Sequence, residues 1–138
     1  MTTTEAKEAV ELLEHYANVI RRYVRIKNRG NVFLDITNDD VIKTVATVTG
    51  LEKGVIVSRD RHPEIVAARN ITMYILNKRL GRTTSASGGV VGRDHSTCVY
   101  ARDKMLDDIE VFKKHKLDYN GTIQYLHKVE DKLGLTRS

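Results

Sequence analysis

The chain has 138 residues, 41% of them hydrophobic and 30% charged, enough for one domain with an apolar core. Its single cysteine, Cys98, excludes an internal disulfide framework and a multi-cysteine zinc site, and no apolar run approaches the ~20 residues that span a bilayer. The net charge is +5, and all the excess lies between Ile56 and Lys104, where nine basic residues face four acids. That excess suits contact with a polyanion, and equally a solvated basic face. The N-terminal run MTTTEAKEAVELLEHY has neither the basic start nor the apolar core of a signal peptide, so a cytoplasmic protein is expected.

The chain reads as all-α, a compact bundle of about six helices in a single domain, 1–138. The first helix covers about Glu5 to Lys27, with Thr2 and Glu5 placed as a capping box. Val10, Leu13, Ala17, Ile20 and Val24 step by three and four, with Leu12, Tyr16, Val19 and Tyr23 beside them. Such a stripe suits packing on its own domain or pairing with a second copy as a homodimer. The helix ends in RRYVRIKNRG, whose cations suit a helix C-terminus and could also meet phosphates. NVFLDIT then reads as extended and leads to Asn38 as the N-cap of a short helix, Asp39 to Thr49, with Val41, Ile42, Val45 and Val48 inward.

LEKGVIVSRDRH reads as a connection carrying its own apolar patch. Pro63 suits the first turn of the next helix, which runs to about Leu80 with Ile65, Ala68, Thr72, Met73 and Leu76 on one spacing. In TTSASGGVV, Gly88 and Gly89 argue against a long helix but allow a short one and a tight turn. The next helix reaches about Phe112 with Cys98, Val99, Met105, Leu106, Ile109 and Phe112 inward. A last helix, about Thr122 to Leu133, would close the core with Ile123, Leu126 and Val129.

A short helix, a glycine-containing turn and a second helix opening on polar side chains form the pattern of a helix-turn-helix, whose second helix reads base edges. The second helix here opens as GRDHSTCVYARDKM, Gly92 to Met105. Asp94 can accept from a cytosine amino group; His95, Ser96 and Thr97 can donate or accept, and Thr97 can offer a methyl to thymine. Asp94 and Ser96 are also good helix caps, so spacing alone leaves both uses open.

GRDHSTCVYARDKM closely resembles the signature of the C-terminal DNA-binding domain of the bacterial replication initiator DnaA. Upstream, ITNDDVIKTVATVTGLEKGVIVSRDRHPEIVAARNITMYI is similar to that family's first helix, loop and long second helix, so the resemblance covers roughly residues 36–112. It implies a DnaA-like core over 36–112, preceded by an N-terminal helix in 1–30 and followed by a C-terminal helix in 113–138. It also implies a stand-alone binding domain without the family's ATPase module. SGGVVGRDHST has glycines but no lysine before its hydroxyls, so no nucleotide site is expected.

The resemblance implies that Asp94, His95, Ser96 and Thr97 read bases in the major groove and that Arg61 enters the minor groove. Arg59, Arg69, Asn70, Lys78 and Arg93 would hold phosphates. Asp60 and Pro63 stand where the family favours basic residues, and Asn77 where a lysine is frequent. The family's Ser-Leu-x-Glu-Ile-Gly helix is here Thr83-Thr84-Ser85-Ala86-Ser87-Gly88, of which only the Gly and a later apolar residue, Val91, survive.

The function expected is sequence-specific binding of double-stranded DNA at DnaA-box-like sites, as an accessory or mobile-element factor in replication initiation or its regulation. An adaptor or transcriptional regulator with altered reading is the alternative. The protein would be nucleoid-associated, with no cofactor, no metal and no membrane partner. Catalysis is not expected either: Asp94 and His95 are neighbours on a helix, so their side chains diverge by about 100°. His95 and Cys98 lie three apart, but two ligands without a second pair are a weak metal signal, and Cys98 reads better as a small buried hydrophobe.

Overall fold

A computed structural model describes residues 3–29 and 36–135 of the chain, with the side chains of 3–20 and 36–135. The described residues are all helix, turn and loop: α1 (Thr3–Arg29), α2 (Asn38–Thr49), α3 (Lys53–Ile56), α4 (Pro63–Tyr74), α5 (Thr84–Val90), α6 (His95–His115) and α7 (Thr122–Leu133). Thr2, the extended reading of 31–35 and the side chains of the basic cluster after Ile20 lie outside the described residues.

The helix α4 is the hub. Ile65, Ala68, Ile71, Thr72, Met73 and Tyr74 are all buried, and α2, α3, α5, α6 and α7 pack around it. A helix surrounded in this way needs small or apolar residues on every side. The buried Thr72 hydroxyl is satisfied within the helix, donating to the Ala68 carbonyl at 2.9 Å. The helix continues through a π-helical turn, Ile75–Arg79, and ends where Gly81 takes φ +73°. From that turn Arg79 pairs with Glu130 of α7, which is 2% exposed, so a buried ion pair joins the hub to the last helix.

Helix ends follow from single residues. Thr37, not the expected Asn38, is the N-cap of α2: its hydroxyl accepts from the Asp40 amide at 3.0 Å and the Asp40 carboxylate accepts from the Thr37 amide. Asp40 lies three positions after Thr37, which lets the two bonds close reciprocally. The apolar patch in the connection after Leu51 is the short helix α3, which seats Ile56 in the core. Asp118 caps α7 by accepting from the amides of Ile123 and Gln124 at 2.7 and 3.0 Å.

Over residues 3–20, the part of α1 whose side chains are described, the helix does not join the core. From residue 3 to residue 20 every side chain is exposed except that of Asn18, which is half-buried and donates to the Lys132 carbonyl at 2.8 Å. From Val10 to Ile20 the stripe therefore does not pack on its own domain, while Tyr23 and Val24 lie outside the described side chains. Among the described residues no helix is long and apolar enough to cross a membrane.

Candidate nucleic-acid interface

The three residues before Ala86 start the motif: Thr83 caps α5 by accepting from the Ala86 amide at 3.1 Å. The helix runs through both glycines to Val90, seven residues in all, the short helix that Gly88 and Gly89 allow. Gly88 is there for a close approach. A methyl at its Cα would sit 2.6 Å from the Asp94 carbonyl oxygen and 2.9 Å from that of Arg93, closer than atoms can pack. The approach lets the Arg93 amide bond the Gly88 carbonyl at 2.8 Å, and Gly92, at φ +70°, completes the turn. The surviving Val91 is fully buried beneath it. So α5 holds α6 with little apolar area of its own, through backbone contact.

Asp94 is the N-cap of α6, its carboxylate accepting from the Thr97 amide at 2.9 Å. That bond, first among its causes, holds the Asp94 carboxyl below its ordinary range. With the cap assigned to Asp94, Ser96 is left on the first turn. His95 and Ser96 are both exposed there, with the Ser96 hydroxyl 3.4 Å from the imidazole Nε2 of His95. Cys98 is fully buried, whereas His95 is exposed. Among the described residues no group of three or more His, Cys, Asp or Glu could hold a metal ion.

Two arginines fasten the loop between α3 and α4, Arg69 to its own helix α4 and Arg93 to this helix start. Arg69 is 5% exposed and donates to the carbonyls of Ser58 at 2.7 Å, Ile56 at 3.3 Å and Asp60. Arg93 donates to the same Ser58 carbonyl at 2.7 Å and to Val91 at 3.0 Å. Burial, and then the neighbouring Arg93 charge, make the Arg69 guanidinium less basic than usual. Asp60, which interrupts the basic run, closes the loop: it accepts from the His62 amide at 2.9 Å and pairs with the His62 ring. Its carboxyl is lowered first by that backbone bond and then by the imidazole, and His62 is raised in return by Asp60.

The fastened loop, α4 and α6 enclose an open groove of about 690 Å³. Arg59, Arg61, Arg69, Asn70, Arg93, Asp94 and Thr97 line it, so seven of the expected site residues meet in one place. Its charge is strongly positive, with Asp94 the one acid of the lining. His95 and Ser96 are not part of the lining and stand on the exposed first turn of α6. Lys78 is exposed and lies about two turns beyond Asn70, away from the groove. The lining also includes Tyr100, 67% exposed, and Lys104, neither of them expected as a site residue from the sequence. The signal was present, since Thr97, Tyr100 and Lys104 step by three and four along one helix face.

Residues 38–105 match the family model for the bacterial DnaA protein helix-turn-helix. This segment is a DnaA-type helix-turn-helix domain. The matched stretch runs from the first residue of α2 to Met105 in α6, and so takes in the whole groove. Three chromosomal replication initiator proteins DnaA are similar over longer stretches of this chain. The protein of Bacteroides fragilis is 29% identical over 111 residues, 80% of this chain and 22% of its own length. That of Bacteroides thetaiotaomicron is 32% identical over 84 residues, 60% of this chain and 18% of its own. That of Herpetosiphon aurantiacus is 25% identical over 122 residues, 81% of this chain and 26% of its own. The chain thus spans about a fifth to a quarter of the length of these relatives. A DnaA-type helix-turn-helix points to DNA binding, and the polar first turn and cationic walls of the groove have chemistry that fits such a use.

Proposed function

We propose that the protein binds double-stranded DNA sequence-specifically at DnaA-box-like sites, as an accessory or mobile-element factor in replication initiation or its regulation. The observation that carries this reading is the position of the α6 first turn at the edge of a cationic groove. A recognition helix entering the major groove presents its N-terminal side chains to base edges, and the walls beside it then meet the phosphate backbone.

The roles divide accordingly. His95 and Ser96, exposed and uncommitted to the core, read base edges, with Thr97 and the carboxylate of Asp94 beside them. Asp94 does this while capping its helix, which fixes its direction. Arg61, exposed on the fastened loop, reaches the adjacent minor groove, and Arg59 meets a phosphate. Asn70 contacts the backbone from the groove wall, Lys78 adds a peripheral charge, and Arg93, its guanidinium held on the Ser58 and Val91 carbonyls, anchors the helix start. The burial of Arg69 supports a positioning role: it holds the loop whose Arg59 and Arg61 do the touching.

The test is equilibrium binding of the wild-type protein to two short labelled duplexes, one carrying a DnaA box and one scrambled, at low and near-physiological salt. A preference for the box that persists at the higher salt is the expected result. Equal binding to both that salt abolishes would leave only charge attraction. No binding at low salt would remove DNA from the reading and favour an adaptor.

A further inference from the structure

The face of α1 is unexplained by DNA binding. Val10, Leu12, Leu13, Tyr16, Val19 and Ile20 are each about half or more exposed, from 49% at Val19 to 66% at Leu13. They lie on one broad arc of the helix, and Asn18, which contacts α7, lies on the opposite, polar arc. The helix therefore turns its polar side to the domain and its apolar side outward. Soluble proteins rarely leave a contiguous patch of this kind uncovered.

Charge says what covers it. The sequence of α1 is acidic in its first half, with Glu5, Glu8, Glu11 and Glu14 against Lys7, and wholly basic after Ile20, with Arg21, Arg22, Arg25, Lys27 and Arg29. Favourable interaction with the helix dipole acts only within the first and last turns, so it does not account for Glu11, Glu14, Arg21 or Arg22. Two copies laid antiparallel bring the acidic half of each beside the basic half of the other, with Glu11 level with Arg21. Laid parallel, they would stack like charges along their whole length.

Area agrees. Each of the six large side chains carries roughly 100 Å² of removable surface. Two copies then approach the ~1,200 Å² at which stable interfaces begin. We propose that α1 is a dimerisation helix, and that its apolar face is covered by α1 of a second copy of this chain in antiparallel orientation. This inference is independent of what DNA the protein reads.

The mass of the full chain in solution, by sedimentation equilibrium at tens of micromolar, tests it together with oxidative crosslinking. The wild type should have twice the chain's mass. The double variant Leu13→Glu/Ile20→Glu should have half the wild-type value and an unchanged unfolding transition, because neither side chain belongs to the core. Cysteine at the helix centre, Ala17→Cys, should crosslink efficiently. Cysteine near the end, Ala6→Cys, should not, since an antiparallel pair holds those positions ~30 Å apart. A monomeric wild type, a double variant that stays dimeric, or Ala6→Cys crosslinking as well as Ala17→Cys would each overturn the proposal.

Discussion

At the start of α6, His95 and Ser96 stand exposed, 3.4 Å from each other, while Arg69 on α4 is 5% exposed and gives its guanidinium to three loop carbonyls. Both regions serve one groove, and both were expected to touch DNA directly. The difference lies in what each side chain can still do. A guanidinium that donates to buried carbonyls cannot leave for a phosphate without stranding those carbonyls. A histidine standing in solvent gives up little on meeting a base. The groove thus combines a rigid frame, built by Arg69, Arg93 and Gly88, with a few side chains left available at its edge.

The largest effect should come from breaking the frame. Arg69→Ala removes the donors to Ile56, Ser58 and Asp60 and is expected to cost about 2–3 kcal/mol of folding stability, read from urea unfolding. DNA affinity should fall with it, and Arg69→Lys should restore only part, because an ammonium cannot span the same carbonyls. An unfolding midpoint within error of the wild type would show that the loop holds itself.

Gly88→Ala comes next. The added methyl meets the Asp94 and Arg93 carbonyls at under 3 Å, so α5 and α6 must move apart. A loss of about 1–3 kcal/mol is expected in the same unfolding measurement. Gly89→Ala is the control, since nothing lies within 4 Å of its added methyl.

Arg59 sharpens the contrast from the other side. It is exposed, so Arg59→Ala should leave stability within about 0.5 kcal/mol. If it meets a phosphate, affinity should drop similarly for box and scrambled duplexes, and the slope of log affinity against log salt should fall by about 1. A drop confined to the box duplex would make Arg59 a reader.

The smallest effect concerns the loop's acid–histidine pair. His62 is raised from its ordinary value of 6.5 by Asp60, so the pair's stabilisation is fully present below that pH. It is lost as pH rises through the raised value. Both groups face solvent, which keeps the effect small and sensitive to salt. Melting temperature followed from pH 6 to 8.5 should fall slightly more in the wild type than in His62→Gln; parallel curves would remove the pair from the stability of the loop.

Much of this was legible in the sequence. Helix α7 was read to the residue, because Ile123, Leu126 and Val129 keep one spacing between Gly121 and Gly134. The α6 start and most of its groove partners followed from the GRDHST run and its resemblance to DnaA. Four residues such as Lys53–Ile56 are too short to show a helical period, so α3 read as loop. The role of Arg69 was hidden for a different reason. An arginine on a helix face looks the same whether it meets phosphate or a folded-back loop, and the deciding carbonyls lie nine to thirteen residues away in the chain. For α1, periodicity revealed an apolar stripe but could not say on which side the domain would lie.

The claim that α6 reads bases from a frame that does not itself read is tested most directly by His95→Ala. Affinity for the box and scrambled duplexes should be measured at near-physiological salt, together with the unfolding midpoint. Loss of about 1–3 kcal/mol on the box duplex, with little change on the scrambled one and an unchanged midpoint, is the predicted result. An unaltered ratio between the two duplexes would contradict it.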